Sequence, residues 1–225
     1  MTCTIYILTP YIIYSGCFEK GTQEQKTVFR ELFGDENTQY KFDFYFHWYN
    51  IIHEYGHCLC SHYDLDITGL KQELLVNRFA VGIWKYAGYE QELEELAKII
   101  NETLQKLKVP VPNDMSFTEY YENIWGTDEL MKVPIYGYFQ FKSVQMALEG
   151  REELEDVLME MGIHKNGNQK PVYKKYLISS NTAKEVLADI HYLLNSLGIE
   201  QPRVDIELVD NPAIQCADSI VSPEG

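Results

Sequence analysis

The chain has 225 residues, of which 45% are hydrophobic and 24% charged, and 34 Asp+Glu against 19 Lys+Arg leave a net charge of −15. That composition fits a globular protein and excludes wholesale disorder, while the acidity argues against a protein that grips nucleic acid by neutralising phosphates. Aromatic residues reach 13%, mostly through 17 Tyr, which points to a core and a cleft built around amphipathic rings. Cys3, Cys17, Cys58, Cys60 and Cys216 are odd in number and irregularly spaced, which favours a reducing cytoplasm over a disulfide framework. The apolar start, Met1 to Ser15, lacks a basic region and is interrupted by Pro10, so a signal peptide is not expected. No apolar run is long enough for a transmembrane helix, and no membrane association is expected.

In chain order, Thr4 to Leu8 and Tyr11 to Tyr14 carry β-branched and aromatic runs that suit short strands or an arm across the core. Thr22 is an N-cap candidate for a helix through Phe33 that stops at Gly34. From Phe42 to Tyr63, apolar residues such as Trp48, Ile51, Ile52, Tyr55 and Leu59 recur at helical spacing, which predicts a buried helix. Gly56 inside it marks a place where something approaches the backbone closely. Asp64 to Gly69 reads as a turn, Leu70 to Tyr86 as a second helix, and Glu90 to Lys108 as a charged amphipathic helix closed by Pro110 and Pro112. The acidic run Glu90 to Glu95 is most simply a solvated face of that helix.

Pro110 to Met115 is the best domain boundary, dividing residues 1–110 from a mostly helical region, 111–225, packed on them. Ser116 and Glu119 have capping-box spacing for a helix to about Trp125, and Thr182 and Glu185 for one over Ala183 to Leu197. Phe139 to Leu148 and Arg151 to Met161 complete the expected helices, with Tyr136 and Tyr138 in a Pro134-led turn. Only Val172 to Ile178 and Val204 to Val209 alternate like strands, and Pro212 to Gly225 reads as a frayed end. The fold class is therefore mainly α with a small β component.

One segment carries chemistry: His53-Glu54-Tyr55-Gly56-His57, an H-E-x-x-H on the expected buried helix. Residues four apart share a helix face, so His53 and His57 can bind one Zn²⁺ while Glu54 reaches a water beside it. A catalytic zinc site normally needs a third protein ligand. A metzincin would have Gly at 60 and His at 63, but Cys60 and Tyr63 stand there. Glu73 and Asn77 lie four apart on the next helix, where one can bind metal while the other supports a ligating His. Asp64, Asp66 and His62 are nearby alternatives for the third ligand. Cys58 and Cys60 read as buried inert thiols, and Asp43 and His47 as a polar stripe or a pair supporting the site.

The segment His53 to His57, followed by Glu73-Leu74-Leu75-Val76-Asn77-Arg78-Phe79-Ala80, resembles the ImmA/IrrE family of zinc metallopeptidases, whose pattern is H-E-x-G-H and then E-x-x-A-N-x-F-A. The chain departs from it at Val76, where Ala is usual, and over Ile83 to Tyr86. The resemblance covers about residues 42 to 87 and implies a zincin-like helical core. It makes His53, His57 and Glu73 the zinc ligands, Glu54 the general base and Asn77 an outer support. It also implies a cytoplasmic, bacterial or phage endopeptidase acting on a protein or peptide, with a repressor-type DNA-binding regulator as a candidate substrate. The alternatives are a non-catalytic interaction module, with or without zinc, and a zinc hydrolase of small molecules. Tyr136, Tyr138, His62, His164 and His191 are candidates for the oxyanion donor such chemistry needs.

Overall fold

The structure is a computed structural model that describes residues 11–166, 182–210 and 220–221. It is mainly helical with a small sheet. Strand β1 (Tyr11–Gly16) leads through a 3₁₀ turn at Phe18–Lys20 to α1 (Gln23–Phe33). Thr22 caps α1 as expected: its hydroxyl accepts from the Gln25 amide at 3.2 Å and the Gln25 side chain accepts from the Thr22 amide at 2.9 Å. Then follow α2 (Thr38–Asp43), a π-helical segment (Phe44–Tyr49), α3 (Asn50–His62), α4 (Gly69–Tyr86) and α5 (Glu90–Leu104). The rest comprises α6 (Phe117–Ile124), α7 (Val133–Gly150), α8 (Leu154–Glu160), α9 (Thr182–Ser196), β2 (Val204–Val209) and β3 (Ile220–Val221).

Three expectations change in detail. The helix read as continuous from Phe42 to Tyr63 contains a π turn between α2 and α3, a widening that recurs at functional sites. Helix α7 starts six residues before Phe139, because Pro134 sits in its first turn, where a missing amide costs nothing. Tyr136 and Tyr138 are therefore helical. The expected frayed tail includes β3, which pairs antiparallel with β1 (Ile12 with Val221, Ile13 with Ile220). The runs Thr4 to Leu8 and Val172 to Ile178 lie outside the described residues.

The sheet order is β2-β1-β3, with β1 and β2 parallel and Ile13 facing Ile206 across the pair. This joins the two ends of the described chain on one side of α3. From that side Tyr55 donates to Gln201 at 3.2 Å and Tyr63 to the Glu200 carbonyl at 3.0 Å. Asp43 and His47 belong here, not to the motif: the two face each other at 3.0 Å, and His47 Nε2 lies 2.8 Å from the Gly16 carbonyl. They form a buried tie between the π segment and β1.

Helix α4 is the central element, packing on α3, α5, α7 and α8. Trp48 and Trp84 stack nearly parallel with centroids 5.0 Å apart, and Tyr89 meets Trp84 edge-on at 4.7 Å. The main core draws Phe141, Val144, Leu154, Val186, Leu193 and Val204 from the later half of the chain onto Trp48, Ile52, Phe79 and Trp84 of the earlier half. A smaller cluster of Leu70, Tyr121, Leu130, Tyr138 and Phe139 joins α6 and the first half of α7 to α4.

Candidate metal centre

The sheet side of α3 anchors the helix, and the opposite side carries the motif. His53 (7% exposed) and Glu54 (2%) are buried, and His57 is partly so. Gly56 lets α4 come close: a Cβ there would lie 2.9 Å from Val76 Cβ, 3.1 Å from Val76 Cγ1 and 3.2 Å from Phe79 Cδ1. The close approach signalled by this glycine is thus the second helix of the site.

That packing delivers Glu73 to both imidazoles. His57 Nε2 lies 3.2 Å from His53 Nε2, one Glu73 oxygen lies 3.3 Å from His57 Nε2, and the other lies 3.4 Å from His53 Nε2. Zinc bonds of about 2.0–2.2 Å at tetrahedral angles put neighbouring donors roughly 3.3–3.6 Å apart, so the three groups fit three corners of a zinc site. Glu54 also brings a carboxylate oxygen within 4.8 Å of the His53 and His57 donor atoms, so distance alone allows it as a ligand. Both carboxylates thus reach the imidazole pair, Glu73 with an oxygen within 3.4 Å of each ring.

Asp64 and Asp66 are exposed in the connection after α3, and His62 packs edge-on against Tyr63 at the end of α3, so none of the three joins the imidazole pair. Cys58 and Cys60 are buried and free, and burial raises both thiols. Asn77 Nδ2 donates to the Glu73 carbonyl at 2.9 Å, and Asn77 Oδ1 accepts from Tyr49 at 2.9 Å. Asn77 supports the main chain that carries Glu73 and makes no bond to either histidine among the described contacts.

Two further residues had gone unmarked. Asn50 donates to Glu54 at 3.1 Å from one helical turn earlier, a spacing that was visible in the sequence. Gln72 meets His57 Nδ1 at 3.0 Å, for which adjacency to Glu73 was the only trace. A small recess opens onto Asn50, His53, His57, Glu73 and Asn77, with Tyr136, Gln140 and Ser143 of α7 on its wall, and Glu54 is not among the residues that line it. Of the five oxyanion candidates, Tyr136 alone lines it. Tyr138 lies in the smaller core cluster, His191 is bonded to Gln201 at 2.7 Å, and His164 is exposed.

Electrostatics sets the proton chemistry. Burial raises Glu54 above its ordinary range, against the lowering effect of the two histidines and Asn50. Burial would lower His57, but its hydrogen bond to Glu73 and that charge outweigh it and raise the ring to about 9. Burial would likewise raise Glu73, yet hydrogen bonds from His53 and His57 hold it well below the carboxylate range. After chelation, the His57 contribution to stability is complete below its ordinary 6.5 and lost as pH rises through about 9. The Glu73 contribution is present above its ordinary 4.5 and lost on acidification. The urea midpoint of chelated protein is therefore expected to fall between pH 6.5 and 9. Saturating zinc should reverse that trend, because ligation requires the bare imidazole nitrogen.

Among the described residues no helix is long and apolar enough to cross a membrane. No protein-family model, curated protein or solved structure matches the chain.

Proposed function

We propose that the chain is a cytoplasmic zinc-dependent endopeptidase of the ImmA/IrrE type. The observation that carries this reading is the triangle of His53, His57 and Glu73 donors with buried Glu54 beside it. Zinc bound there would supply Lewis acidity toward a water and a scissile carbonyl. Glu54, with its proton affinity raised by burial, takes a proton from water and returns it to the leaving amine. Tyr136 offers a phenolic donor to the oxyanion from the α7 wall. The −15 charge favours a basic substrate, for which a repressor-type DNA-binding protein is the natural class.

A second reading, a zinc hydrolase of small molecules, draws on the modest size of the recess and the α7 residues along it. The two separate when zinc-loaded protein is offered basic helix-turn-helix proteins in one arm and short peptides and small amides in the other. Chelator-sensitive cleavage of an intact protein supports the endopeptidase. Turnover confined to the small substrates supports the second reading, and turnover of neither contradicts both.

A further inference from the structure

The hydrogen-bond pattern around His57 assigns a task to Gln72 that the ligand triangle does not contain. Gln72 Nε2 donates to the Ile67 carbonyl at 2.8 Å, in the connection between α3 and α4. A carbonyl only accepts, so the amide cannot be turned round without setting oxygen against oxygen. Gln72 Oε1 is therefore the atom that faces His57 Nδ1 at 3.0 Å. An amide oxygen also only accepts, so Nδ1 must carry a hydrogen, and once the Nε2 proton that faces Glu73 is given up, Nε2 is the nitrogen left to offer a metal its lone pair. His53 Nδ1 is buried with no hydrogen-bond partner among the described residues, so no equivalent brace holds the other ring there.

We propose that Gln72 is a positioning residue of the metal site, fixing the tautomer and the ring plane of His57 from the Ile67 carbonyl. This rests on the zinc reading above. The ring of His57 is oriented before metal arrives, and the α3–α4 connection becomes part of the site through one side chain. Supports of this kind typically change metal affinity about 10–100-fold when removed.

The test is zinc affinity, measured by competition with a chromophoric chelator, together with thermal melting of the chelated protein, for wild type, Gln72→Leu and Gln72→Glu. Leucine removes the acceptor, whereas glutamate keeps an acceptor for Nδ1 but has no donor for the Ile67 carbonyl, so its second oxygen must turn away from Ile67. The expected result is zinc binding weakened about 10–100-fold in Gln72→Leu and within about fivefold of wild type in Gln72→Glu, with both chelated variants still folded and melting in one cooperative transition. Wild-type affinity in Gln72→Leu, or equal losses in the two variants, would overturn the proposal while leaving the zinc site standing. A wild-type protein that takes up no stoichiometric zinc would overturn both.

Discussion

Glu54→Gln should bind one zinc per chain as wild type does and lose about 10²–10⁴-fold in the rate of hydrolysis. Gln matches Glu in shape, and its amide oxygen can still accept from Asn50, so the α3 surface is preserved. It cannot take a proton from water. Glu54 is 2% exposed and burial raises its proton affinity, so the ionised carboxylate opposes folding increasingly as pH rises above the ordinary 4.5. The Gln variant is therefore expected to be at least as stable as wild type in urea at pH 8, and more stable if anything. An inactive, metal-loaded and undiminished protein separates a base from a structural acid, because a structural Glu54 would lose stability along with activity.

Gly56→Ala should destabilise the fold by about 1–3 kcal/mol and weaken zinc binding with it. Helix propensity alone favours Ala by about 1 kcal/mol, so the sign rests on the clash. The new methyl would fall 2.9 Å from Val76 Cβ and 3.2 Å from Phe79 Cδ1, and both neighbours are fully buried. Neither side chain can swing away, so α3 and α4 must part. Glu73 lies one turn before Val76 and His57 directly follows Gly56, so that separation opens the ligand triangle. Adding Val76→Ala removes Cγ1 but keeps Cβ, and should restore stability only in part. Urea unfolding and chelator competition read the two effects, and a Gly56→Ala protein with wild-type stability and affinity would refute the packing argument.

The sequence disclosed most where chemistry and period coincide. His53 and His57 are readable because a metal site on a helix demands four-residue spacing, and Gly56 because an interior glycine is costly unless a neighbour needs the room. The capped start of α1 was visible for a similar reason: Thr22 and Gln25 satisfy each other's orphan groups locally. Features set by tertiary contact were not. The π segment keeps an ordinary aromatic helical pattern, and its extra width appears only in the hydrogen bonds of the folded chain. The two-residue β3 is shorter than any alternation signal and exists by pairing with β1. Pro134 was read as a turn residue because the same ring geometry also suits a first helical turn. Gln72 carries neither charge nor period, and its partners, Ile67 and His57, converge only when α4 folds back along α3. Tyr49, which fixes Asn77 from the end of the π segment, was hidden for the same reason.

X-ray absorption at the zinc edge of the loaded protein tests the central claim most directly. His53, His57 and Glu73 predict one zinc per chain surrounded only by nitrogen and oxygen at about 2.0–2.2 Å, with imidazole scattering from two rings. Sulfur scattering at about 2.3 Å, which would place Cys58 or Cys60 on the metal, would contradict the account, as would zinc uptake unchanged by His53→Ala and His57→Ala.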